Sequence, residues 1–170
     1  MSANGQVAPA IHARWLQQAV MEDLKELFRD SRFKAPDGGT ASMKVYKQQL
    51  PKLPLQDDED EADGSDLFPF IVVRVMSGKI ESPDAPHEVT LLLWIGVFDD
   101  DLKNEGHDAV LEIIERVQQH YQEKPTLGAA FFKDPFEWVL QDEESFPFFY
   151  GGCSLTFQLP APRVEWSEYA

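Results

Sequence analysis

The residues best equipped for chemistry are Asp99, Asp100 and Asp101, followed by His107 and Asp108. Carboxylates and an imidazole are ligands for divalent cations, and a bound ion would allow metal-assisted hydrolysis. These residues stand where a predicted strand ends and a predicted helix begins. A helix N-terminus also favours negative charge and needs capping side chains, which explains the acids without a ligand. We prefer this second interpretation and predict no metal site.

The other reactive side chains stand apart from one another. His12, His87 and His120 each lie in or beside a different predicted element, as surface histidines do. Cys153 is the single cysteine, so it makes neither an intramolecular disulfide nor, by itself, a zinc site. It follows Gly151 and Gly152, which we expect to permit a bulge or a close approach of the backbone.

The strong catalytic motifs are absent from the sequence. It contains no phosphate-binding loop, dinucleotide fingerprint, Gly-x-Ser-x-Gly elbow, His-Glu-x-x-His or Cys-x-x-Cys. We therefore predict that the protein is not an enzyme, uses no cofactor, and has no catalytic, cofactor-binding or metal-binding residues.

Two adjacent segments carry the clearest structural pattern. Residues 88–98 form the most apolar run and predict a central strand, and apolar side chains on both alternating sets predict that both of its faces are covered. Residues 106–124 predict an amphipathic helix that lies on the sheet. Its apolar stripe consists of Val110, Ile113, Ile114, Val117 and Tyr121.

The remaining elements follow from periodicity and from turn residues. Residues 11–28 predict a first amphipathic helix, and residues 43–50 predict a modest strand that Pro51 ends. Residues 68–76 predict a strong strand, antiparallel to the central one across a turn at residues 77–86. Residues 131–140 predict one strand or two, and residues 154–159 alternate as a half-buried strand.

These elements predict a single α+β domain over residues 11–160. We expect a mixed or antiparallel sheet of about four to six strands with two amphipathic helices packed on it, on one face. A length of 170 residues with 43% hydrophobic content supports one domain with a core. Residues 1–10 and 161–170 are predicted to be tails. Within the second, Trp166 and Tyr169 either fold back on the core or reach a neighbouring subunit.

The charge of the chain bounds its partners. Thirty acidic and fifteen basic residues give a net charge of −15, which argues against tight binding to nucleic acid or to anionic membranes. An acidic inhibitor that mimics DNA is one alternative function, and a metal-assisted hydrolase is another. Mimicry should spread acids along a surface, whereas seven crowd residues 57–66, which predict a mobile loop. No apolar run has membrane-spanning length and no secretory signal is recognisable, so we expect a cytoplasmic location or a particle assembled there.

The order of the elements resembles that of a known family. A helix is followed by a strand ending at Leu50-Pro51, an acidic loop before Phe68-Pro69-Phe70-Ile71-Val72, the strand at residues 90–98, the helix start at residues 108–114 and a last strand at residues 150–157. This order, with its Pro-rich end, resembles the tail terminator, or tail completion, proteins of long-tailed bacteriophages and prophages. The resemblance covers roughly residues 11–160 and rests on element order and apolar pattern, not on a chemical motif.

The resemblance implies a structural virion protein without catalytic residues. Such a protein assembles in the host cytoplasm as a homo-oligomeric, hexameric ring at the head-proximal end of the phage tail. The ring caps the tail tube protein and offers its other face to the head-tail connector protein, with DNA passing through its lumen. The acidic loop at residues 57–66 is not a recognised family feature. It projects either toward the lumen, where carboxylates repel phosphates, or outward as a solubility loop.

Overall fold

The structure, a computed structural model, describes residues 12–52 and 64–161. Within these ranges the chain forms two helices, eight strands and one short 3-10 turn, Ser65–Leu67. The helices are α1 (Ala13–Leu27) and α2 (Gly106–Glu123). The strands are β1 (Arg32–Lys34), β2 (Thr40–Ser42), β3 (Lys44–Lys47), β4 (Phe70–Ile80), β5 (His87–Phe98), β6 (Thr126–Leu127), β7 (Ala130–Leu140) and β8 (Phe148–Leu159).

Six of the strands form one mixed sheet in the order β3-β4-β5-β8-β7-β6. The β3–β4 pair is parallel, and the other neighbouring pairs are antiparallel. β1 and β2 form a separate antiparallel hairpin. The predicted α+β domain is confirmed, as is the antiparallel pairing of the two long strands on either side of residues 81–86.

Both helices lie on the same face of this sheet, which we call the helix face. α1 packs on β3 and β4, and α2 packs on β8, β5 and β7. Successive side chains of a strand point to opposite faces, and the alternate residues of β5 on this side are all buried. They are Val89, Leu91, Leu93, Ile95 and Val97. The apolar stripe predicted for α2 is buried in full against them.

The early part of the chain differs from the prediction. The predicted strand at residues 43–50 is shorter, Lys44–Lys47, and the hairpin β1–β2 before it was not predicted. Gly38 and Gly39 lie in the turn of that hairpin. Strands of three residues carry too little alternation to be recognised from the sequence.

The later strands are longer than predicted. Residues 77–79, predicted as a turn, continue β4 to Ile80. β7 is one strand with a register shift between Lys133 and Glu137, and β8 runs without interruption through Gly151 and Gly152. Pairing along the length of a neighbouring strand lets β4 and β8 pass residues that are poor strand formers locally.

The acidic loop predicted at residues 57–66 falls mostly outside the described residues. Its last residues are described, and Asp66 lies in the turn Ser65–Leu67. The Lys44 ammonium donates hydrogen bonds to the backbone carbonyls of Asp66 and Phe68, the latter at 3.0 Å. The predicted loop therefore ends in ordered backbone. Of the tails predicted at residues 1–10 and 161–170, all but residue 161 lie outside the described residues.

Candidate interaction surface

The acidic residues singled out in the sequence form hydrogen bonds in the loop that follows β5. Asp99 Oδ1 accepts a hydrogen bond from Lys34 Nζ at 2.9 Å and one from the Asp101 amide at 3.0 Å. Asp101 Oδ1 in turn accepts one from the Lys103 amide at 3.0 Å. Burial acts to raise the pKa of the Asp99 carboxyl, but the hydrogen bonds from Lys34 and Asp101 outweigh it and leave the pKa below its usual value.

The capping role predicted for these acids is therefore wrong for Asp99 and Asp101. α2 begins at Gly106, its N-cap Glu105 makes no side-chain hydrogen bond, and only Asp108 lies in the first turn. His107 forms an ion-pair contact with Asp108 at 3.3 Å. Within residues 12–52 and 64–161, no three His, Cys, Asp or Glu side chains are grouped closely enough to hold a metal ion.

Two of the remaining candidate residues have structural roles. His120, predicted to be a solitary surface residue, contacts Asp23 with 2.7 Å between Nε2 and Oδ2, and this pair joins α2 to α1. Cys153 is buried on the helix face, and burial raises the pKa of its thiol to about 12. A thiol with such a pKa is not a nucleophile at neutral pH.

The opposite face of the sheet, which we call the open face, has no helix or long strand packed on it among the described residues. Leu92 and Trp94 of β5 point to this side and are only partly buried. The prediction that both faces of the central strand are covered is thus wrong for the described part of the chain. The run is apolar on both alternating sets, but no described helix or long strand forms the layer that was predicted on its second face.

Half of the open face is an aromatic cluster. Phe68 precedes β4 and Phe70 begins it, while Phe148 and Tyr150 belong to the start of β8, so the two pairs lie on either side of Trp94 in β5. The Phe68 and Phe148 ring centroids are 4.6 Å apart, so the two Phe-Pro-Phe segments of the sequence meet in space. Both Phe-Pro peptide bonds are cis.

Trp94 is held in place from three directions. Its ring stacks on Tyr150 with centroids 5.9 Å apart and an interplanar angle of 23°, and it meets Phe70 edge-on at 5.1 Å. The Arg74 guanidinium lies over the indole, 5.1 Å from its centroid. Aromatic and cation–π contacts of this kind each contribute on the order of 1 kcal/mol, so the indole has one preferred orientation.

A groove runs beside Trp94 because one row of the sheet lacks a side chain. Trp94 of β5 pairs with Gly152 of β8, which pairs in turn with Val139 of β7. Glycine in the middle of this row leaves a trough of about 340 Å³ between the two outer side chains. Leu92 and Tyr150 also line it. A Cβ at Gly152 would lie 3.0 Å from the Leu93 carbonyl oxygen.

The other half of the open face is polar. Thr90 and Thr156 form a cross-strand hydroxyl hydrogen bond of 3.2 Å, and Lys133 contacts Glu88 at 2.5 Å between Nζ and Oε1. In each pair the polar groups satisfy one another, so the hydroxyl pair joins β5 to β8 and the ion pair joins β5 to β7. Phe131 of β7 is 47% exposed in this half, but the aromatic cluster lies at the end of the sheet where β7 ends and β8 begins.

The outer edge of β7 adds exposed apolar groups to this end. β6 pairs only with Ala130 and Phe131, so beyond these residues β7 has no outer strand among those described. Trp138 is 54% exposed and Val139 is 63% exposed. The sequence predicts both only as part of one strand or two at residues 131–140, because exposure at an edge is a property of the assembled sheet.

The described residues contain no helix with both the length and the apolar character needed to cross a bilayer.

No protein-family model matches the chain, and no curated protein matches it in sequence.

Proposed function

We propose that the chain is a structural virion protein that caps a phage tail tube as a hexameric ring and joins the tube to the head connector. The proposal combines the resemblance in element order with the α+β architecture, a mixed sheet with two helices on one face. It includes no catalytic step, and its location is the head-proximal end of the tail.

The observation that carries the proposal is the exposed outer edge of β7. Monomeric proteins normally protect a sheet edge and scatter their exposed apolar groups, whereas large apolar side chains here accompany an unpaired edge. A closed ring needs a heterologous interface, in which one surface of a subunit meets a different surface of the next. An edge strand with Trp138 beside it is suited to one half of such an interface.

The net charge makes the ring conditional on its surroundings. A charge of −15 on each copy opposes association, so the isolated protein need not form the ring without the tube end as a template. The decisive location test therefore uses assembled particles. Antibodies against the chain should label the head-proximal end of tails purified from the phage or prophage that encodes it, and tails without the protein at that end would contradict the proposal.

The subunit interface is tested by Trp138→Lys. The indole is 54% exposed, so the monomer should fold normally, while a buried charge at the interface should abolish incorporation into tails. Met76→Lys is the matched control, because Met76 is 57% exposed on the distant strand β4. Incorporation is measured by quantifying the protein in purified tails. Equal incorporation of both variants would remove the edge of β7 from the interface.

A further inference from the structure

The groove between Trp94 and Val139 has the dimensions and the rigidity of a receptor for one side chain. Its volume of about 340 Å³ and its apolar lining suit an aliphatic or aromatic group. Trp94 is already oriented by Tyr150, Phe70 and Arg74, so binding would not have to order this wall.

The groove continues into a second depression with a different character. The two share Leu140, Gln141 and Tyr150, and the second, of about 370 Å³, is bordered by the turn between β7 and β8. That turn carries Asp142, Glu143 and Glu144, all exposed. No Lys, Arg or His among the described residues lies within ion-pair distance of these three carboxylates.

Charge selects the occupant of this combined surface. The apolar trough is followed at the turn between β7 and β8 by three carboxylates that have no basic partner within the described part of the chain, while on the β4 side Arg74 is engaged with Trp94. A ligand with an apolar anchor and adjacent positive charge matches this order. A second copy of the chain matches it poorly, because each copy carries a net charge of −15.

We propose that this groove binds a segment of a different protein that places one apolar side chain between Trp94 and Val139 and its neighbouring Lys or Arg residues against the turn at Asp142, Glu143 and Glu144. This interaction goes beyond the ring proposed above and does not depend on it. The apolar anchor supplies the affinity that comes from desolvation, and the carboxylates set the direction and charge of the segment.

The test begins with a random peptide display library selected on the immobilised full chain. Peptides that share an aliphatic or aromatic residue with at least two nearby Lys or Arg should be enriched. An enriched peptide is then synthesised with a fluorescent label, together with a version in which Glu replaces every Lys and Arg. Anisotropy at low ionic strength should show binding of the first and a loss of about tenfold or more for the second.

Variants of the chain locate the binding. Val139→Asn should weaken the peptide about tenfold or more, and it should fold because Val139 is 63% exposed. Met76→Asn, at a residue 57% exposed on β4, should leave the affinity unchanged. The triple variant Asp142→Asn, Glu143→Gln, Glu144→Gln should also weaken binding. Its control, Glu112→Gln, Glu115→Gln, Glu123→Gln, removes the same charge from the exposed side of α2 and should not.

Several results would overturn the proposal. They are a library that yields no peptide enriched over the Val139→Asn protein, equal binding of the Glu-substituted peptide, and binding unaffected by both groove variants. Self-association that Val139→Asn abolishes would make a second copy the occupant. Tighter peptide binding after deletion of residues 162–170 would make that segment of the chain the occupant. Peptide affinity is independent of incorporation into tails, so the two proposals fail separately.

Discussion

At the scale of single residues, the adjacent glycines of β8 allow close approach on one face of the sheet and leave a groove on the other. A Cβ at Gly151 would lie 2.6 Å from Val110 Cγ1 of α2, whereas Gly152 faces the groove of the open face. The pairing of β8 with β5 shows no register shift here. Of the two predicted reasons for the glycines, close approach is confirmed for Gly151, and the bulge is absent.

Gly151→Ala should therefore destabilise the fold. The added methyl group also meets the Val139 carbonyl oxygen at 3.0 Å, so both α2 and the backbone of β7 would have to shift. Overpacking of this kind costs about 1 to 3 kcal/mol, which urea denaturation measures. Gly39→Ala is the control, since its nearest neighbour is a flexible carboxylate oxygen of Asp37 at 3.3 Å. Equal stability of the two variants would show that α2 is not packed this closely.

The thiol of Cys153 should be inert in the folded protein. Burial raises its pKa from the usual 9.0 to about 12. At about pH 8 a thiol reagent should therefore react with the native protein only through unfolding, and it should react rapidly in urea. Between pH values equal to these two pKa values, the thiol keeps its proton in the folded state and loses it in the unfolded state. Stability should therefore fall as pH rises through this window. Rapid labelling of the native protein would contradict the buried position.

At the scale of elements, the two helices are joined by side chains that the sequence pattern placed on polar surfaces. Arg116 of α2 donates hydrogen bonds to Ser31 Oγ at 2.7 Å and to the Leu27 carbonyl at 3.0 Å. Its guanidinium also lies 4.4 Å from the centroid of the Phe28 ring. The residue thus satisfies a carbonyl at the C-terminal end of α1 and fixes the spacing of the helices.

Arg116→Lys should lower the free energy of unfolding by about 1 to 2 kcal/mol, because an ammonium cannot keep both hydrogen bonds and the planar stacking contact. The comparison is Arg29→Lys, whose surface ion pair with Glu26 is 66% exposed on both sides and contributes little. Thermal and urea denaturation of the two proteins measure the difference. A loss no larger than that of Arg29→Lys would mean that apolar packing alone holds the helices together.

At the scale of the whole molecule, the net charge of −15 works against compactness. Like charges repel over the screening length, which shortens from about 30 Å at 10 mM salt to about 8 Å at physiological salt. The basic side chains that approach acids form a few pairs, among them Lys34–Asp99 and Lys133–Glu88. Much of the negative charge is therefore left to solvent and salt.

The melting temperature should consequently rise when sodium chloride is increased over this range. The variant Glu112→Gln, Glu115→Gln, Glu123→Gln removes three negative charges from the exposed side of α2 and should show a smaller rise. Differential scanning fluorimetry across a salt series measures both. A melting temperature that is independent of salt would show that repulsion between these charges does not lower the stability of the fold.

The sequence alone determined the parts of the fold that depend on local periodicity. The bounds of α2 were predicted almost to the residue, Gly106–Glu123 against 106–124, because the buried stripe repeats at helical spacing and Pro125 follows. The antiparallel pairing of β4 and β5 followed from the adjacency of two strong strands along the chain. Both helices were also expected on one face, as in other α+β layer architectures, and each carries one apolar stripe with which to pack there.

Only the tertiary structure decided which residues form the open face and its groove. Trp94, Gly152 and Val139 come from β5, β8 and β7, and β8 lies between the other two although it follows both in the chain. The parallel pairing of β3 with β4 was equally invisible in the sequence. Alternation within a strand records which side chains face the core, but not which strand lies beside it. That choice is made when long-range packing under α1 and α2 sets strand order and register together.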